Sequence, residues 1–119
     1  MKNVQWFYNG VMAKTYRMPC PVARTLDVIG ERWTLLILRD LFLFGPRRFR
    51  DFEVSLKGIP PNTLSERLKR LEANGVVERR RYSDHPPRDE YRLTVKGKRL
   101  GPVLKSLKAW GERYPEPVL

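Results

Sequence analysis

Residues 49–93, FRDFEVSLKGIPPNTLSERLKRLEANGVVERRRYSDHPPRDEYRL, decide the fold of this chain. Phe49, Phe52 and Leu56 recur at helical spacing, which predicts a short amphipathic helix after Pro46. Lys57-Gly58-Ile59-Pro60 supplies a tight turn. Pro61 opens a second helix, on which Leu64, Leu68 and Leu71 repeat at i, i+4 and i+7. Asn74-Gly75 is its stop, because either residue tolerates the left-handed conformation needed there. Strand-like residues at 76–82 and 88–93 flank Ser83-Asp84-His85-Pro86-Pro87, so a β-hairpin follows with almost no spacer. A helix presented by a turn and flanked by a cationic β-ribbon is one way small proteins read duplex DNA.

The charge supports that reading. The chain of 119 residues carries 24 Lys and Arg against 13 Asp and Glu, a formal net charge of +11. Residues 45–99 hold 15 of those bases against 8 acids, so the positive field is concentrated where the helix-turn-helix pattern lies. Such an asymmetry makes a polyanion the default partner, through attraction to phosphates and release of counterions.

The flanking segments read as helices. Pro21 suits a first helical position, and Val22, Leu26 and Ile29 share a face before Gly30. Arg32 to Phe44 forms a second helix, closed by Gly45-Pro46. Its apolar residues cover most of the circumference, which places it at the centre of a domain or at a subunit contact. From Thr94 to Arg113, the residues Val95, Leu100, Val103, Leu104, Leu107 and Trp110 form an apolar stripe on a long helix, kinked at Gly101-Pro102. The expected fold is mainly α with a small β-hairpin (α+β), a winged helix-turn-helix. It divides into an aromatic arm (1–19), a domain (20–113) and a short tail (114–119).

On a helical wheel, Leu64, Leu68 and Leu71 centre the buried face of residues 61–74, with Asn62, Glu66, Lys69 and Arg70 opposite and Thr63 and Ser65 on the flanks. The N-terminal part of such a helix meets base edges. Asn62, Thr63, Ser65 and Glu66 are therefore the readout candidates; Asn can pair with adenine, and Glu can accept from cytosine. Lys69 and Arg70 suit phosphates, whereas Arg67 lies close to the buried edge. Arg47, Arg48 and Arg50, near the start of the preceding helix, are further phosphate candidates. In the wing, Arg79, Arg80 and Arg81 alternate between two faces, so at most two can touch one surface. With His85 and Arg88 they are candidates for the DNA backbone or a narrow minor groove. A charged edge strand that resists aggregation is the alternative role for some of them.

Other chemistries find little support. One cysteine and one histidine leave no His/Cys cluster for a metal. The sequence has no Ser/His/Asp arrangement, P-loop or dinucleotide fingerprint, so neither an enzyme nor a cofactor is expected. The apolar run WTLLILRDLFLF is broken by Arg39 and Asp40 and is too short to span a bilayer, and the N-terminus lacks a signal-peptide core. A soluble, cytoplasmic protein is the expectation.

Several segments together resemble HxlR-type transcriptional regulators. They are CPVARTLDVIGERWTLLILRDLFLFGPRRFRDF, IPPNTLSERLKRLEANGVVERR, HPPRDEYRLTVKGKRL and PVLKSLKAWG. The match covers roughly residues 20–111. Its marks are Cys-Pro before the first helix, the Trp-initiated central helix, Leu-Ser-x-Arg-Leu and Pro-Pro-Arg-x-Glu-Tyr. The resemblance implies a homodimer built through its N- and C-terminal helices and bound to a (pseudo)palindromic operator in double-stranded DNA. The aromatic arm (Trp6, Phe7) and the stripe of Leu100, Val103, Leu104, Leu107 and Trp110 fit such an interface; an intrachain core is the other reading of the stripe.

Several members of the resembled family sense oxidants or electrophiles through a cysteine at the place Cys20 occupies. A thiol at a helix start faces unpaired N–H groups and the positive end of the dipole, with Arg17 and Arg24 adding to that field. A buried, inert thiol is the alternative. No residue identifies an effector. The rival function is non-specific binding, as an architectural DNA-binding protein or an RNA binder; a pure protein-interaction module is a third.

Overall fold

The computed structural model describes residues 20–117. Trp6 and Phe7 lie outside the described residues.

Four helices come first. α1 (Pro21–Ile29) starts on a proline, and α2 (Arg32–Phe44) is capped by Glu31, which accepts a hydrogen bond from the Thr34 N–H at 3.2 Å. α2 ends at Gly45, whose φ of 76° is open to glycine at little cost. α3 (Phe49–Ser55) is short, and its first turn is tied by the Asp51 carboxylate accepting from the Arg48 N–H at 2.9 Å. The turn through Gly58 (φ 90°) leads to α4 (Pro61–Ala73). At its end the Gly75 N–H bonds the Glu72 carbonyl and the Val76 N–H the Leu71 carbonyl, both at 3.0 Å. This is a Schellman close. It turns the chain directly into the wing.

The wing is a two-stranded antiparallel sheet of β1 (Val77–Asp84) and β2 (Pro87–Leu93). Val77 pairs Leu93, Arg79 pairs Tyr91 and Arg80 pairs Glu90, with an irregularity between Arg81 and Ser83. The hairpin is tighter than the sequence suggested. The five residues expected as a loop shrink to a turn at His85-Pro86, because Ser83, Asp84 and Pro87 join the ladder. The Ser83 hydroxyl donates to the Pro86 carbonyl at 3.1 Å and closes the turn.

The expected long kinked helix over 94–113 is two helices, α5 (Val95–Lys98) and α6 (Gly101–Arg113). The Thr94 hydroxyl caps α5 by accepting from the Gly97 N–H at 3.0 Å. Pro102 lacks an N–H to continue a helix, so the chain restarts there instead of bending.

Phe52 occupies the centre of the core with Ile37, Leu38, Leu64, Leu68, Leu71, Val76 and Val77, all buried. Burying a side chain of Phe52's size contributes about 1.5–3 kcal/mol. The shared apolar face expected on α1 is only partly used: Ile29 is buried, but Val22 and Leu26 are exposed. The C-terminal stripe also splits. Leu100 and Leu104 pack on the core, while Val103, Leu107 and Trp110 stay exposed.

Candidate nucleic-acid interface

α4 turns its leucines inward so completely that its remaining side chains have little choice. Leu64, Leu68 and Leu71 are at most 1% exposed, and Asn62, Glu66, Lys69 and Arg70 stand on the outside, with Thr63 and Ser65 half-buried beside them. The 3.6-residue period dictates this division once the leucines are in the core. Arg70 also lines a cleft with Leu26, Asp27, Glu31 and Thr34.

Arg67 has a role the helical wheel did not suggest. Its Nε lies 2.7 Å from Glu31 Oε1, and its Nη1 contacts Glu66 Oε1. One guanidinium therefore joins the start of α2 to the outer face of α4. Burial pushes the Glu31 carboxyl up, but the Arg67 hydrogen bond and the N–H groups of Trp33 and Thr34 outweigh it and hold the group below its ordinary value. Those same contacts with Glu31 raise Arg67, which stays cationic throughout.

The three arginines before and at the start of α3 separate. Arg50 is exposed. Arg48 is exposed too, donating from Nη1 to the Tyr82 hydroxyl at 3.4 Å and standing 3.6 Å from Asp51, so it links α3 to the wing. Arg47 turns inward. Its side chain is 17% exposed, its guanidinium carbon sits 4.4 Å from the Phe44 ring centroid, and Nη2 donates to the Asp51 carbonyl at 3.1 Å. The structure does not bring Arg47 to the surface that carries Arg48 and Arg50.

Asp40, which read only as a break in an apolar run, is fully buried. Arg39 Nη2 lies 3.1 Å from its Oδ1 and Arg47 Nη2 3.9 Å from its Oδ2. The signal was available in the spacing. Asp40 follows Ile37 by three residues and Trp33 by seven, on the face of α2 that enters the core.

In the wing, the register sorts the arginines. Arg79 shares a face with Tyr91, and Arg81 Nε pairs with Asp89 Oδ1 at 3.3 Å. Arg80 lies on the opposite face with Glu90, beside an Arg92–Glu78 pair of 3.3 Å. Tyr91 packs edge-on to Phe52, with ring centroids 6.3 Å apart. Burial raises its hydroxyl above the ordinary value, which the positive charge of Arg79 only partly offsets. His85 and Arg88 are exposed around the tip.

Cys20 is the N-cap residue of α1 and is 2% exposed. Among the described residues no cluster of three or more His, Cys, Asp or Glu could hold a metal, and no helix is long and apolar enough to cross a membrane.

A family model for the HxlR-like helix-turn-helix matches residues 28–118. The chain belongs to the HxlR-like helix-turn-helix family. An HTH-type transcriptional regulator of Mycobacterium tuberculosis is 50% identical to this HxlR-family chain over 97 residues, covering 81% of it and 60% of the relative. The chain thus spans about 60% of the length of that mycobacterial relative. The HTH-type transcriptional regulator YdeP of Bacillus subtilis is 39% identical over 99 residues, covering 83% of this chain and 77% of its own. Among solved structures, the redox regulator HypR in its oxidized form superposes with a TM-score of 0.76 at 38% identity, over 83% of this chain and 100% of that one. The reduced transcriptional regulator YodB of B. subtilis gives 0.69 at 36% identity, over 86% and 100%. The family is one of DNA-binding transcriptional regulators, not enzymes, and the winged helix-turn-helix expected from residues 49–93 is the fold these neighbours share.

Proposed function

We propose that this HxlR-family chain is a sequence-specific, double-stranded DNA-binding transcriptional regulator. It acts in the cytoplasm as a homodimer on a (pseudo)palindromic operator. The observation that carries the reading is the outer face of α4, where Asn62, Glu66, Lys69 and Arg70 stand out over a leucine-packed inner face. Asn62, Thr63, Ser65 and Glu66 meet base edges in the major groove. Lys69, Arg70, Arg48 and Arg50 neutralise phosphates, together with the wing residues Arg79, Arg80, Arg81, His85 and Arg88. Arg47 is left out of this set because it is enclosed between Phe44, Asp40 and Asp51.

Dimerisation draws support from the exposed apolar residues Val103, Leu107 and Trp110 on α6, continuous with the half-buried Leu100 and Leu104. Trp6 and Phe7 of the arm would complete the interface. Two recognition helices related by a two-fold axis then dock one helical turn of DNA apart. In this scheme the chain divides into the arm (1–19), the winged domain with its C-terminal dimerisation helix (20–113) and the short tail (114–119). A thiol-based response through Cys20 belongs to the same proposal. It is supported by the N-cap position and by the likeness to HypR and YodB, and at 2% exposure a reagent reaches the thiol only after local opening around Cys20.

The deciding measurement is a salt-titrated binding assay on the DNA upstream of the chain's own gene, against random duplex and RNA. Operator-binding proteins gain ~10³-fold or more over random DNA. Equal affinities would instead leave the non-specific architectural or RNA-binding reading. Sedimentation of the free protein tests the dimer.

A further inference from the structure

Arg67 sits between two carboxylates that belong to different parts of the molecule. Its Nε is 2.7 Å from Glu31 Oε1, and its Nη1 contacts Glu66 Oε1. The Arg67 side chain is 20% exposed, against 64% for Glu66. Glu31 is itself held in place, since the same Oε1 accepts from the Thr34 N–H at 3.2 Å and caps α2. The outward carboxylate of Glu66 is thus fastened to α2 through one guanidinium.

The geometry of a helix makes this arrangement specific. Neighbouring residues on α4 project about 100° apart, so Glu66 and Arg67 meet only because their side chains lean toward each other along the helix surface. A planar guanidinium with donors on fixed edges can hold two carboxylates at set angles. An ammonium is a point charge and cannot. The pairing also offsets the negative charge of Glu66, which would otherwise repel phosphates on either side of a groove.

We propose that Arg67 is a positioning residue for DNA specificity. Anchored on Glu31, it holds the Glu66 carboxylate at a fixed angle and so selects the base edge from which Glu66 accepts a hydrogen bond. The matching base chemistry is an exocyclic amine, as on cytosine. Oε1 of Glu66 is engaged by Arg67, which leaves Oε2 as the acceptor. This inference rests on the reading of α4 as the helix that enters the major groove.

The test is selection of bound duplexes from a random pool by the full chain and by Glu66→Gln, Arg67→Lys, Arg67→Gln and Glu31→Gln, with thermal melting of each. Glu66→Gln identifies the base position that Glu66 reads. Arg67→Lys, which keeps the charge and a partner for Glu31, is expected to shift preference at that same position by about fivefold or more while melting close to the unaltered protein. Glu31→Gln, which weakens the anchor of Arg67 from a carboxylate to a neutral amide oxygen, is expected to shift it in the same direction. It keeps the test open should either Arg67 variant fail to fold. The proposal is overturned if the folded Arg67 and Glu31 variants keep the preference that Glu66→Gln changes, or if Glu66→Gln changes no position. An unaltered protein that enriches no motif would overturn the functional reading as well, and that outcome is distinct from the other two.

Discussion

Arg47 and Tyr91 exchange both backbone hydrogen bonds, Arg47 N–H to Tyr91 carbonyl at 2.9 Å and Tyr91 N–H to Arg47 carbonyl at 2.7 Å. This bridge fastens β2 of the wing to the segment between α2 and α3. Tyr91 is also the residue whose ring meets Phe52 in the core. The wing is therefore seated on the helical body and not merely appended to it.

Arg47→Ala should act through the fold. It removes the cation 3.9 Å from buried Asp40 and the bond to the Asp51 carbonyl. Asp40 keeps Arg39 at 3.1 Å but loses the cation beside its Oδ2, so we expect a loss of about 1–3 kcal/mol, read as a lower urea midpoint. Arg50→Ala, on the exposed side, should leave that midpoint nearly unchanged and weaken DNA binding instead.

Gly97→Ala should be costly for a steric reason. A Cβ there would stand 2.1 Å from the Val76 carbonyl oxygen, which belongs to the backbone that enters the wing. We expect roughly 2–4 kcal/mol of destabilisation by chemical denaturation, well beyond an ordinary surface glycine. Gly111→Ala on α6 meets nothing within 4 Å and should be neutral or stabilising.

Glu31→Gln isolates the ion pair with Arg67, since the amide oxygen can still cap α2. The Glu31 carboxyl lies below its ordinary value of 4.5 in the folded chain, so its contribution is complete above that pH and is lost as pH falls through the folded value. The gap between the two proteins should therefore narrow from pH 7 to pH 3. Because the Glu31 side chain is 39% exposed, screening holds the gap at pH 7 below about 1 kcal/mol. Urea midpoints at the two pH values measure it.

Readout and phosphate contact should separate by mutation. Arg70→Ala or Arg80→Ala should weaken binding to every sequence and lower the salt slope by about one unit. Asn62→Ala should relax base preference at one position, by roughly 1–3 kcal/mol. Identical behaviour of both kinds of variant across sequences would defeat the division.

Cys20→Ser tests the switch. Diamide or a quinone is expected to change the operator affinity of the unaltered protein and to leave the serine variant unaffected. A response that persists in the variant removes Cys20 as the sensor.

The helix-turn-helix was legible because its determinants are local. Leu64, Leu68 and Leu71 set the period of α4, Gly58 and Gly75 mark its limits, and the buried leucines alone settle that Asn62 and Glu66 face outward. The hairpin was legible as an element but not in its length, since ladder pairing drew Ser83, Asp84 and Pro87 out of the loop. Likewise Pro102 signalled a discontinuity, and only the Thr94 cap and the restart at Gly101 made it two helices.

By itself the sequence determined the order of elements, the positive field and the two faces of α4, because periodicity, turn chemistry and net charge are properties of near neighbours along the chain. Only the tertiary structure decided which charges are available. Arg47 and Arg48 are adjacent and chemically identical, yet one lies over Phe44 beside buried Asp40 and the other reaches Tyr82 from the surface. Arg67 meets Glu31 across 36 positions of sequence. An arginine's partner is set by what packing brings within about 4 Å of it, and no local pattern encodes that distance.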